Sequence, residues 1–388
     1  MNKKKLILLS AAIILMSAIC KAPLTVISSL LTMIQAEFAL DAASAGIINS
    51  VPLIAFAIIS LFISSMAQKV GAGKVCFAGM ACLAIGIALC AFVGVTGLYL
   101  GMALIGISIA VASVLLPAVI KAYYPNHIGP MTSVFVTVMS VLPGIAGAVS
   151  VPLAMASSWN GSMGVWAVLA VVITVLWLPN MKCSITADGE VSRPKDVMHS
   201  KMSWWITVLC SMSSLLFYSL LSWLATILQA KGFDTETAGY FSSLFVLIGI
   251  PGSFVVPILA NKLKNQSVLG VCVGMTYLIG ILLLMFVDSW AMILVAVILC
   301  GIGTSCVFSY GISSFSIHTK TAADASVLSG MSQSLGYFLG AVGPFFMGKL
   351  FDVTGNWNVS LMVVLVAAAV AVISGYKVGK PHIINVDD

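Results

Sequence analysis

Among the 18 lysines and arginines, 12 carboxylates and 4 histidines of this chain, Lys21 stands apart by position. It follows the uninterrupted apolar run LILLSAAIILMSAIC. Fifteen residues beyond Leu6, at about 1.5 Å per residue, place it about 22 Å into a helix. That depth is too great for easy snorkelling from the near end, and a lysine at the centre of a bilayer costs about 3 kcal/mol on insertion scales. The carboxylates (Glu37, Asp41, Asp188, Glu190, Asp196, Asp234, Glu236, Asp288, Asp324, Asp352, Asp387, Asp388) and the histidines (127, 199, 318, 382) all fall in loops or at the ends of apolar runs. The sequence therefore supplies no intramembrane acid to neutralise Lys21. The reading drawn from this is an anion site facing a water-filled cavity. Two others stand beside it: an anchor at the far interface, if the helix starts later, and a contact to backbone carbonyls. Pro23 bends the helix next to the lysine, and Thr25, one turn on, shares its face. At similar depth lie Tyr218 and Trp223 in one run, and Gln333 with Tyr337, four residues apart, in another. A buried amide needs partners, so Gln333 and Tyr337 can orient a small planar solute. For any single tyrosine or serine, helix–helix packing is the competing reading.

The elements that must carry these groups follow from composition. Hydrophobic residues make up 61% of the 388 and charged residues 8%, with a mean hydropathy of +1.14. A soluble domain carries roughly 25% charge, so a cytosolic enzyme, a secreted module and a disordered chain are excluded. The apolar runs are long and do not alternate with period two, which selects helices over a barrel. About 20 residues cross a bilayer, and twelve such stretches lie between residues 6 and 378. The first, behind Lys3-Lys4-Lys5, is too long for a signal peptide and shows no small-residue cleavage site before Lys21; it is read as a retained span. Nine cysteines show no paired or CxxC spacing and read as small apolar residues. No metal, no cofactor and no nucleic acid is called for, and the protein is read as a monomer in the lipid bilayer. No HExxH or GxSxG motif and no intramembrane carboxylate pair appears, so an enzyme is not expected.

Loop charges give the orientation. Lys3, Lys4, Lys5, Lys69, Lys74, Lys121, Lys182, Arg193, Lys195, Lys201, Lys262, Lys264, Lys320, Lys377 and Lys380 share one loop parity; only Lys231 and Lys349 occupy the other. Basic loops stay inside, so both termini are expected in the cytoplasm. The polar stretch 181–202 divides the chain into a six-span half (1–180), a cytoplasmic linker (181–202) and a second six-span half (203–388). The halves echo each other. Spans five and eleven both carry glycine and proline: Gly144, Gly147 and Pro143 in one, Gly340, Gly343 and Pro344 in the other. Small residues let backbones approach closely and re-pack as halves rock; ordinary tight packing is compatible with this.

Three blocks carry a family resemblance. They are Leu116-Pro117-Ala118-Val119-Ile120-Lys121 with Tyr124-Pro125; Gly144 to Ala148 with Val151-Pro152-Leu153, Trp159 and Trp166; and Tyr218, Ser222-Trp223-Leu224, then Gln333 to Tyr337 through Gly343-Pro344. In order and spacing the chain resembles the cyanate permease and 2-nitroimidazole transporter branch of the major facilitator superfamily. Two departures are evident. The family's Arg-Pro pair in the first span becomes Lys21 with Pro23, which keeps the charge but not the planar fork of arginine. The acid of the loop after span two is replaced by Gln68.

The resemblance implies an all-α membrane protein of twelve transmembrane helices in two pseudo-symmetric bundles, with a solute site between halves at mid-membrane. The expected activity is secondary transport of a small anion or compact polar organic solute by alternating access. Lys21 is its central charge, and Thr25, Tyr218, Trp223, Gln333 and Tyr337 are its neighbours. An efflux pump for small toxic organics is the main alternative; a transporter-like sensor and a channel stand behind it. Proton coupling would require Lys21 itself or the solute's own proton.

Overall fold

Where water is absent a backbone satisfies its hydrogen bonds within a helix or a closed barrel. The structure, a computed structural model, describes residues 3–39, 42–185 and 194–384, and these contain helices and no strand. The α-helices of the first half are α1 (Lys3–Cys20), α2 (Ala22–Phe38), α3 (Ala42–Val70), α4 (Ala72–Phe92), α5 (Gly94–Tyr123), α6 (Ile128–Ala156) and α7 (Trp159–Trp177). A short helix, α8 (Pro194–His199), precedes the second set: α9 (Lys201–Ala230), α10 (Thr235–Leu247), α11 (Ile250–Lys262), α12 (Ser267–Phe286), α13 (Trp290–Ile317), α14 (Ala322–Thr354) and α15 (Trp357–Val378).

Local chemistry sets the boundaries. Ser158, Asp234 and Asn356 accept the first free N–H groups of α7, α10 and α15 through their side chains, the usual work of an N-cap. Gly71 and Gly232 turn the chain at positive φ. Two of the twelve apolar stretches are interrupted. The first, where Pro23 leads one to expect a bend, breaks outright at Lys21 and yields α1 and α2. The eighth breaks between Leu247 and Ile250, a division not foreseen from its composition. There Pro251 occupies the first turn of α11, and Gly249 lies so close to Ser305 that a Cβ would overlap the serine side chain.

Counted as spans, α1/α2 and α3 to α7 make six, and α9, α10/α11 and α12 to α15 make six. Among the described residues eleven spans are long and apolar enough to cross a bilayer by composition alone. The twelfth, α14, is the longest helix at 33 residues, and its serines, glycines and lysine dilute its hydropathy. Many large apolar side chains face outward along these helices, among them Val165, Val168 and Val172 of α7, as a lipid-facing surface requires.

The chain forms two compact units. The first comprises Met1–Asn126, Val134–Ser192 and Thr321–Gly330; the second comprises His127–Ser133, Arg193–Lys320 and Met331–Asp388. Within the first, α5 is the most enclosed span. Within the second, α12 and α15 cross at Gly270 and Gly375, where each backbone occupies the space a partner's Cβ would need. Gly270 and Gly274 are four apart on α12, the small-residue spacing that brings membrane helices together.

Candidate functional site

In the first unit, Lys21 occupies the N-cap of α2, in a bend between two helices. Its flanking residues Cys20 and Ala22 are fully buried, whereas Lys21 itself is half-buried. The break brings together the carbonyl end of α1 and the N–H end of α2. A lysine offsets the partial negative charge of the former, while the latter favours an anion.

Thr25, one turn into α2, donates its hydroxyl to the carbonyl of Pro143 on α6 at 2.6 Å, with the Ala22 carbonyl at 2.9 Å. The α2–α6 approach continues at Gly147, where a Cβ would come within 2.9 Å of Ser29 Oγ. Thr25 thus ties α2 to α6, a role that sequence position did not distinguish from solute contact. Gly144 is exposed, and a Cβ there would meet nothing within 4 Å; among the described residues it closes no helix contact.

The second unit repeats the arrangement with other side chains. Gln333 and Tyr337 lie one turn apart on α14 and are 3% and 4% exposed. Tyr218 of α9 places its ring 6.0 Å from that of Tyr337, and it lies against Gly340, where a Cβ would come within 2.6 Å of the ring. Three of the named groups, Tyr218, Tyr337 and Gly340, therefore come together in one patch. Gly343 faces Ser219 Oγ, 2.8 Å from where its Cβ would be. Trp223 donates its indole N–H to the carbonyl of Pro344 at 2.8 Å and packs on Trp357, centroid to centroid 5.2 Å. Each unit thus uses a side-chain donor to satisfy a carbonyl at a helix proline, Thr25 on Pro143 and Trp223 on Pro344.

These bonds carry a testable consequence. Trp223→Phe keeps an aromatic ring and removes one hydrogen bond of about 1 kcal/mol. Lower thermal stability with an unchanged KM is expected, measured by thermal unfolding and transport kinetics on the same preparation. A raised KM at unchanged stability would return Trp223 to the solute.

A second cluster, in the first unit, was not identified from sequence. Ser64 of α3 shares a 2.6 Å hydrogen bond with Ser326 at the start of α14. Gln68 donates to Ser64 Oγ at 3.1 Å, so the residue that replaces the family's acid joins an uncharged chain. Ser329 donates to the carbonyl of Ser113 at 3.3 Å, and a Cβ at Gly330 would fall 2.6 Å from the carbonyl of Ser60. Asp324 caps this turn through Thr321 and acts electrostatically on Lys121. The signal available in the sequence was the three-residue recurrence Ser326, Ser329, Ser332, which keeps hydroxyls on one helix face. Among the described residues no cluster of His, Cys, Asp and Glu is suited to a metal ion.

Comparison with known proteins agrees with this architecture. The sequence profile of the Major Facilitator Superfamily matches residues 7–341. An uncharacterized transporter of Bacillus subtilis, YycB, is 33% identical over 364 residues, 93% of this chain and 90% of that one. The 2-nitroimidazole transporter of Escherichia coli is 29% identical over 98% of this chain and 97% of its own. The cyanate transport protein CynX of the same organism is 20% identical, covering 86% of this chain and 87% of CynX. Among solved structures, the transporter FucP in its outward conformation superposes with a TM-score of 0.78 at 15% identity, covering 97% of this chain and 99% of FucP. That likeness concerns the fold.

Proposed function

The chain belongs to the Major Facilitator Superfamily, and on that premise we propose that it carries a small anion, or a compact, strongly polarised organic solute of cyanate or nitroimidazole type, across the cytoplasmic membrane by alternating access. It is a multi-pass membrane transporter and not an enzyme. The observation that carries the finer reading is the lysine at a helix break within the first span. A cation beside the N–H end of a half-helix is a local centre of positive potential, and broken helices serve anionic solutes in this way in transporters.

Residues of the second half supply shape. Gln333 offers an amide able both to donate and to accept, and Tyr337 with Tyr218 offers an aromatic wall. Thr25 and Trp223 act on the solute indirectly, by holding α2 and α9 in place. Gly147, Gly340 and Gly343 permit the close helix contacts beside these groups. The names of two relatives, a nitroimidazole transporter and a cyanate transporter, support the solute class: both solutes are small, and both present partial or full negative charge on a compact frame. The excess of lysine on one loop parity supports a cytoplasmic position for both termini.

The test is flux. Purified protein in proteoliposomes is expected to take up labelled 2-nitroimidazole or cyanate with saturation, and to show counterflow when preloaded with unlabelled solute. Flux that rises linearly without counterflow would make the protein a channel, and solute binding without flux would make it a sensor; either result overturns the proposal.

A further inference from the structure

The second unit holds a cavity whose lining shares no residue with the candidate solute site. It lies where α11 and α13 end and α12 begins, and has a volume of about 580 Å³. Lys264, Gln266, His318 and His382 contribute its polar lining, and Leu263 and Ile383 part of its apolar rim. One wall is the segment that follows α15. That segment is held at two points: the backbone N–H of Gln266 donates to the carbonyl of Gly379 at 2.8 Å, and the N–H of Ile384 donates to the carbonyl of His318 at 2.8 Å. His318 Nδ1 meets the carbonyl of His382 at 2.7 Å, which fixes the ring against the wall.

Gln266 indicates a ligand. It is 4% exposed, and its amide nitrogen is used twice, on the carbonyls of Ala260 at 3.0 Å and Leu263 at 2.8 Å. Its Oε1 is buried and has no partner. A buried acceptor left unmatched is destabilising by an amount comparable to a lost hydrogen bond, so an occupant with a hydroxyl or other donor relieves it. The surroundings set the rest of the occupant's chemistry. Lys264 supplies a full positive charge, two imidazoles border the same space, and Lys262, Lys377 and Lys380 lie at the same end of the unit. Phosphate oxygens are the usual partners of such a set.

We propose that this cavity is a binding site for a phosphate group flanked by hydroxyls, the chemistry of a glycerol phosphate. It is distinct from the transported solute's site. The phosphate lies against Lys264 and the imidazole of His382, and a hydroxyl of the ligand donates to Gln266 Oε1. A phosphatidylglycerol headgroup and a soluble glycerol phosphate share these features. The exposed Leu263 and Ile383 at the rim favour the lipid, whose acyl chains they would contact.

Delipidated full-length protein would be titrated with short-chain phosphatidylglycerol, short-chain phosphatidylcholine and glycerol 1-phosphate, with binding followed by native mass spectrometry and thermal shift. Phosphatidylglycerol is expected to bind at least about tenfold more tightly than phosphatidylcholine, which has the phosphate but no hydroxyl donor. The double variant Lys264→Ala/His382→Ala, which alters only residues at the cavity mouth, is expected to lose about tenfold or more in affinity. Binding of phosphatidylglycerol alone identifies the lipid as the source, binding of glycerol 1-phosphate alone a soluble metabolite, and binding of both the shared headgroup chemistry. Equal binding of the two lipids, no binding of either hydroxyl-bearing probe, or undiminished binding by the double variant overturns the proposal.

Discussion

Lys21→Gln is expected to abolish transport and to make the protein more stable. The two effects have one origin. A lysine within a membrane span costs about 3 kcal/mol on insertion scales, and glutamine removes the charge while nearly matching the side chain's length. Thermal unfolding should therefore move to higher temperature. Transport should fall by on the order of a hundredfold in kcat/KM, about 2.7 kcal/mol, because truncating one partner of a buried charge pair costs about 2–5 kcal/mol. Lys21→Arg retains the charge and should retain part of the activity, with an altered solute preference because the planar fork differs from a point charge. A merely structural lysine would behave in the opposite way: its loss would lower stability and transport together. Full transport by Lys21→Gln would remove the binding centre proposed here.

The second large effect concerns the α12–α15 crossing. Gly270→Leu is expected to eliminate properly folded protein. A side chain at Gly270 would enter the volume of the Gly375 carbonyl, and a Cβ at Gly375 would come within 2.6 Å of the Gly270 carbonyl. Neither obstacle is the end of a flexible side chain, so relief requires the helices to separate. Overpacking of this kind destabilises by about 1–3 kcal/mol or more, and here it also disrupts contacts over the whole helix pair. Monodispersity after detergent extraction would report it, with Gly270→Ala intermediate. Gly144→Leu is the matched control, since its Cβ would enter open space; it should extract as the parent does. A monodisperse Gly270→Leu protein with the parent's melting temperature would refute the assignment.

The general architecture was legible in the sequence because bilayer insertion leaves such strong marks: run length, the absence of charge within runs and the one-sided distribution of lysine. A bend beside Lys21 was legible too, since Pro23 cannot continue a helix without loss; that the bend is a full break was not. What stayed hidden depends on partners far along the chain. Depth singles out Thr25 and Trp223, but nothing local announces that each donates to a proline carbonyl more than a hundred residues away. Gly144 and Gly147 look equivalent three residues apart, but one faces open space and the other faces α2. His318 and His382 read as end-of-helix and tail residues by position, because nothing local announces that the segment after α15 returns to the end of α13.

The polarity of α14 has a consequence for how the chain enters the membrane as it is made. Ser326, Ser329, Ser332 and Gln333 are all buried in the finished fold, but a translocon meets α14 before that burial exists. This segment is a weak candidate for partitioning into lipid by itself, unlike α13 before it and α15 after it. Its integration must therefore be cooperative, with a more apolar neighbour retaining it until its hydroxyls find their partners.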